Sequence, residues 1–254
     1  MNQFARSLII TILLSWVSFF SFCQKKLPTQ YAPLSIDFNF GAQNPTGELS
    51  KRFGSNLCIG VGFERISLPT GWIFAINGSY LFGQTVYEDV LSKIRTPEGE
   101  ILSDIGNYAS VELRQRGFYF GGQFGKIFKL SDNGNRFRGI RATFGVGFLQ
   151  HKIRIQDNNN SAPQIAAPYD AGYDRLTNGF ALTQFIGYQV VSRDKKINFY
   201  LGFDFTEGFT KNRRAFNYDT RQRDDAARLD LLYGFRVGWS IPLTSNVKAD
   251  EIEY

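Results

Sequence analysis

Arg228-Leu229-Asp230-Leu231-Leu232-Tyr233-Gly234-Phe235-Arg236-Val237-Gly238-Trp239-Ser240-Ile241 decides the fold. Leu229, Leu231, Tyr233, Phe235, Val237, Trp239 and Ile241 share one parity; Arg228, Asp230, Leu232, Gly234, Arg236, Gly238 and Ser240 share the other. A period of two belongs to an extended strand, whose successive side chains leave on opposite faces. Here one face is apolar and aromatic, and the other is charged or small.

Seven earlier stretches repeat the pattern: residues 34–42, 57–64, 72–82, 118–128, 140–148, 180–190 and 197–206. Ile36, Phe38 and Phe40 stand against Asp37, Asn39 and Gly41, and Phe199, Leu201 and Phe203 against Tyr200, Gly202 and Asp204. The connections alternate in length. Residues 67–71, 131–135 and 192–196 read as short turns, and 43–55, 83–116, 156–178 and 210–227 as long loops. Eight such strands predict an all-β fold: an antiparallel, transmembrane up-and-down β-barrel with short periplasmic turns and long extracellular loops. An even strand number leaves both termini in the periplasm.

Cost decides which face meets lipid. An Arg or Lys turned to hydrocarbon at mid-bilayer costs roughly 2–4 kcal/mol, and a one-residue slip of register would turn every such side chain outward. Asp37, Glu64, Arg141, Asp204, Asp230 and Arg236 all share the less apolar parity, so they form a polar network in the lumen. Two uses of that network stay open, a gated channel and a filled core of paired charges. Eight strands enclose a lumen just wide enough for side chains, which favours the filled core. A soluble barrel of the opposite polarity would have to pack all the aromatic rings inside, overfilling so narrow an interior. Trp72, Phe128, Tyr188 and Trp239 fall toward the turn ends, and Tyr80, Phe82, Phe118 and Phe205 toward the loop ends, as two aromatic girdles do. Lys126 lies on the outward parity near a turn, where its stem reaches the headgroups.

The chain opens with Arg6 ahead of an apolar run from Leu8 to Phe22, followed by Ser21-Phe22-Cys23. This reads as a cleavable secretory signal over residues 1–23. The rival is a lipoprotein signal with acylated Cys23, which Phe20 and Phe22 disfavour by standing where small and aliphatic residues belong. Residues 24–33 then form a periplasmic segment, 34–243 the barrel, and 244–254 a periplasmic tail ending in Asp250, Glu251 and Glu253. Cys58 is left as a single thiol, read as a small packed residue. The net charge of +6 is dispersed over turns, strand ends and loops. That distribution points to outer-membrane lipids and lipopolysaccharide, and away from nucleic acid.

Chemistry-bearing candidates are few. His151 is the only histidine, flanked by Gln150 and Lys152 with no serine beside it on its strand. A lipid-modifying enzyme would need such a serine, so His151 reads as a polar rim residue. No metal site and no cofactor is implied. In the last loop, Lys211, Arg213, Arg214, Arg221 and Arg223 alternate with Phe216 and Tyr218. This set either clasps lipopolysaccharide phosphates or an acidic partner, or pairs with Glu88, Asp89, Glu98, Glu100 and Asp104 of the second loop. The second loop is also unusually apolar, with Val86, Ile101, Leu102 and Ile105. Tyr87, Val90, Leu91 and Ile94 have helical spacing within it. They make either a helix that docks another envelope protein or a cap over the barrel's own mouth.

The eight alternating strands and the aromatic last strand resemble the eight-stranded outer-membrane β-barrel superfamily, the group of the OmpA membrane domain and OmpX. Gln24 just past the expected cut and the Phe- and Gly-rich strands also resemble outer-membrane proteins of Bacteroidota, among them PorT-like accessory barrels of a secretion machine. The resemblance covers residues 34–243 as a pattern. It implies an outer-membrane location and a non-enzymatic structural or accessory role in assembly or secretion. A small-solute channel and a lipid A-modifying enzyme are the alternatives. The loops are longer than those of OmpX.

Overall fold

Strand β1 (Leu34–Gly47) is hydrogen-bonded along both edges, to β2 (Asn56–Ile66) and to the last strand, β10 (Ala227–Pro242), and this closes the sheet. The computed structural model describes residues 34–67, 70–132, 136–192 and 198–243. The expected signal at 1–23, segment at 24–33 and tail at 244–254 lie outside the described residues, as do parts of all three short turns. The remaining wall is β3 (Trp72–Gly83), β6 (Val111–Asp132), β7 (Arg136–Asp157), β8 (Thr177–Ser192) and β9 (Asn198–Asn212), each antiparallel to its sequence neighbours. A two-residue pair, β4 (Ile101–Leu102) with β5 (Tyr108–Ala109), forms a hairpin inside the loop between β3 and β6. The fold is thus an eight-stranded antiparallel up-and-down barrel.

Following the ladder from Gly41 gives the stagger. One way round it passes Cys58, Leu81 and Gly117 to reach His151. The other way it passes Arg236, Gly202 and Gly187 to reach Arg141. The two arrivals lie ten residues apart on β7, the shear that tilts the strands. With eight strands, side chains alone fill the interior.

The aromatic parity points out. Phe38, Phe63, Phe74, Phe120, Phe124, Phe203 and Trp239 are exposed, whereas Asp37, Glu64, Arg141, Asp204, Asp230 and Arg236 are buried. Phe185 is an exception, an inward aromatic packed edge-on to Tyr200 at 5.4 Å. Small inward residues make room for the large ones. A Cβ on Gly238 would lie 2.1 Å from the Tyr200 ring, so only glycine admits that ring across the lumen.

The strands run further than the alternation suggested. β6 and β7 are 22 residues each, and the long connections shrink to 48–55, 84–110, 158–176 and 213–226. The physical reason is a reversal of polarity part-way up. Below it, Phe118, Phe120 and Phe148 face out; above it, Glu112, Arg114, Arg116, Lys152 and Arg154 occupy the same outward parity, and Ile153 is buried inside. Apolar out and polar in suits hydrocarbon, and the reverse suits water. The strands continue across that boundary, and a pattern sought in one phase ends there.

Candidate functional site

At the turn end the lumen is floored by Ile66, Ile73, Ile127 and Val191. Above the floor, Arg141 donates to Glu64 at 2.9 Å and to Gln189 at 3.0 Å, with its guanidinium 4.3 Å over the Tyr200 ring. Tyr200 donates its hydroxyl to Asp37 at 2.8 Å, and Asn39 donates to the same oxygen at 3.0 Å. The Ser240 hydroxyl sits between Glu64 and Asp37. A second pair, Arg236 with Asp204 at 2.6 Å, is completed by Gln43 donating to Asp204 at 3.0 Å. Higher up, Asp230 meets His151 Nε2 at 2.8 Å and receives the Thr210 hydroxyl. All six charged residues expected in the lumen are therefore inside and engaged. The acids in excess of the two arginines are met by polar donors, the Tyr200, Ser240 and Thr210 hydroxyls, the Asn39 amide and the His151 ring. The cavity among Cys58, Leu81, Tyr119, Leu149, Leu232 and Arg236 is only about 10 Å³, room for one water at most.

His151 is not a rim residue. It is buried, its ring is edge-on to Phe53 at 5.7 Å, and the mouth is closed above it. Leu49, Phe53, Val90, Leu91, Ile101, Ala109, Ala162 and Ile165 continue the inner apolar cluster of Leu81, Leu149 and Leu232 upward, forming a cap. Of the two readings of Val90 and Leu91, partner contacts on a helix or part of a cap over the mouth, the cap matches their burial and the helix does not form. Both residues are fully buried in the cap's core, and the segment folds as a bend followed by the single 3₁₀ turn Ser92–Ile94. Burial overrides the spacing, because loop 84–110 has the barrel mouth itself to cover. Ile94 is partly buried against that core, and Tyr87 is exposed.

The four long loops are stapled together. Glu88 in loop 84–110 accepts from Arg52 of loop 48–55 at 2.6 Å and from Arg175 of loop 158–176 at 2.7 Å. Arg175 also donates to Asp219 of loop 213–226 at 2.6 Å. Burial pushes the Glu88 carboxyl up, but the two guanidiniums outweigh it and hold the carboxyl below its ordinary range. Burial likewise works against the Arg175 charge, and Asp219 and Glu88 raise its pKa in spite of it. Backbone bonds add to the staple. Tyr87 N–H donates to Arg52 at 2.8 Å, Asp104 N–H to Ser161 at 2.8 Å, and Tyr218 N–H to Gly172 at 3.0 Å.

The basic loop pairs differently from expectation. Its partners among the described residues are not in the acidic loop. Arg214 takes Asp174 at 2.5 Å, Lys211 and Arg223 take Asp225 at 3.6 and 2.7 Å, and Arg213 donates to Asn178 at 2.6 Å. The near acids Asp174 and Asp225 are closer in the fold, and Asp89 is taken by Arg95 of its own loop at 2.7 Å. Arg221 is exposed with a left-handed backbone, φ 53°. The capped mouth leaves outside the aromatic and apolar Tyr87, Leu102, Ile105, Tyr108, Tyr169 and Phe216, set among charged residues such as Lys93, Glu98, Asp104 and Arg223.

No protein-family description matches the chain, and no curated protein matches it in sequence. Among solved structures, it is similar to Neisserial surface protein A at 6% identity and TM-score 0.41, over 82% of this chain and 96% of that one. It is similar to the attachment invasion locus protein Ail of Yersinia pestis at 8% identity and TM-score 0.38, over 84% and 100%. It is also similar to the outer membrane protein OprG of Pseudomonas aeruginosa at 10% identity and TM-score 0.35, over 84% and 97%. The eight-strand closure stands on the hydrogen-bonded registers above, independently of these likenesses.

Proposed function

We propose that the chain is a non-enzymatic integral barrel of the bacterial outer membrane, an accessory subunit whose loop cap binds another envelope protein. In this reading the long loops face outward, both ends of the barrel lie in the periplasm, and outer-membrane lipids surround the wall. The membrane location is supported by the continuous belt of exposed Phe, Ile and Trp, a surface no water-soluble monomer tolerates. Among the described residues no helix is long and apolar enough to cross a membrane; the crossing is made by strands.

One observation carries the accessory role: the lumen is filled and the mouth is stapled shut, yet the cap presents Tyr87, Leu102, Ile105 and Tyr108 to solvent. Aromatic side chains on a preorganised surface are what a protein interface uses, because little ordering entropy is lost on binding. A filled lumen supports this over a small-solute channel. The burial of His151 under Phe53 supports it over a lipid-modifying enzyme, since no lipid reaches the ring.

The test is chemical crosslinking in cells followed by purification in mild detergent, with planar-bilayer recording of the pure barrel. A stoichiometric envelope partner and no conductance above background support the reading. A barrel that never co-purifies with protein, or one that conducts steadily, overturns it.

A further inference from the structure

Register brings together four cations that lie far apart in sequence. Arg114 is paired with Arg154, and Arg116 with Lys152, directly across the β6–β7 ladder. All four share the outward parity of Phe118, Phe120 and Phe148, so they stand on the outer wall immediately above the aromatic belt. Like charges directly opposite one another destabilise a sheet unless a counter-charge compensates. The protein compensates only in part. Glu112 takes Arg114 at 2.5 Å. Asp174 lies 3.6 Å from Lys152 but is already held by Arg214. Arg116 donates to the backbone carbonyls of Gln115 at 2.6 Å and Gly83 at 3.5 Å, neither of which carries charge. Among the described residues Arg154 has no carboxylate partner. A depression of about 410 Å³ opens between Tyr80, Arg116, Phe118, Lys152 and Arg154, with Asp170 and Asp174 on its loop side. Its aromatic lining is Tyr80 and Phe118, and the Phe148 ring lies 5.9 Å from Phe118 on the wall beside it.

We propose that this outer wall of the β6–β7 hairpin binds the phosphomonoester headgroup of a membrane lipid whose acyl chains lie along Phe118, Phe120 and Phe148. The two guanidiniums without carboxylates, Arg116 and Arg154, match the two charges of a phosphomonoester, and their planar forks suit its oxygens. The aromatic lining fixes the depth, because the cations begin where the apolar parity stops. The site rests on the membrane reading and not on the cap's having a protein partner. It is also distinct from the basic residues of loop 213–226.

The experiment uses the full chain inserted in phosphatidylcholine nanodiscs doped with bisphosphorylated lipid A, with lipid retention read by native mass spectrometry. Heat-dependent gel migration reports barrel formation separately. Lipid A is retained, its dephosphorylated form and phosphatidylglycerol are not, and inorganic phosphate does not displace it. Retention weakens about tenfold in R116Q/R154Q, the loss of one to two charge-assisted contacts, and is unchanged in K51Q, an exposed cation of loop 48–55. If the double variant does not insert, R154Q alone, at an exposed side chain, repeats the test. Equal retention of dephosphorylated lipid A, or undiminished retention by R154Q in a folded barrel, overturns the proposal. A wild-type barrel that forms but does not enter the bilayer overturns the membrane reading itself.

Discussion

Glu88 and Arg175, 87 residues apart in sequence, meet at 2.7 Å across the barrel mouth, and this contact locks two loops that share no strand hairpin. Because Glu88 also holds Arg52, and Arg175 also holds Asp219, one chain of ion pairs runs through all four long loops. Removing Glu88 leaves the buried Arg52 guanidinium, its side chain 8% exposed, without a carboxylate, and leaves Arg175, 4% exposed, with Asp219 alone. Breaking a fully buried pair costs about 3–5 kcal/mol, and the one-third exposure of Glu88 reduces this to about 2 kcal/mol. Glu88→Gln therefore opens the cap but not the wall. Limited proteolysis will cut the loops of the variant at least tenfold faster, while its heat-dependent gel migration stays that of a folded barrel.

The same contact sets a pH dependence. Glu88 is held below its unfolded value near 4.5, so its contribution is complete above that pH and is lost as pH falls through the lower folded value. Asp224 is likewise held below 3.8, where burial opposes its charge but Arg228 and Asn212 prevail. Hydrogen exchange of the loop amides will be slow and nearly level above pH 5, after correction for intrinsic rates. Protection will fall below pH 4.5. A loss of protection on raising pH from 5 to 8 would contradict the staple.

In the lumen, a double substitution will cost less than a single one. Arg236→Leu strands Asp204 in a closed interior and costs about 3–5 kcal/mol. Adding Asp204→Leu returns most of that, because the charge and its desolvation leave together. Urea unfolding in detergent or lipid reads the coupling between the two.

Gly238→Ala pushes a methyl group into the Tyr200 ring and disturbs the Tyr200–Asp37 bond, for a cost of about 1–3 kcal/mol. Gly78→Ala, where the nearest atom is Phe120 Cδ2 at 3.7 Å, is the matched control and leaves stability within experimental error. Reversal of that order would mean that the lumen is not packed as described.

The barrel was legible in the sequence because its signal is periodic. Charges such as Arg141 and Asp204 fix the phase, and lipid punishes any other. The lumen residues were found the same way, by parity. A cap over the mouth was one of two open readings of the second loop, and its non-helical form was not legible. Val90 and Leu91 have helical spacing, yet they are buried in a non-helical loop because the mouth beneath them is apolar, and nothing local to residues 84–110 records that. The ion pairs were misjudged for a related reason: Arg175 and Asp219 carry no pattern, and only the folded loops bring them to Glu88. His151 reads as a rim residue because the alternation stops near it, whereas β7 continues six residues further. The cation group at Arg114, Arg116, Lys152 and Arg154 stayed hidden because the alternation reverses there. Only the β6–β7 register shows them facing one another.

In the proposed function the stapled cap is the working surface of a sealed barrel. Photo-crosslinking in cells tests it most directly, with a photoreactive residue placed singly at Ile105, Tyr108 and, on the wall, Phe124. A docking cap yields one discrete protein adduct from Ile105 and Tyr108, none from Phe124, and loss of that adduct in the Glu88→Gln background. A folded barrel that gives no protein adduct from either cap position, or the same adduct with Glu88 replaced, contradicts it.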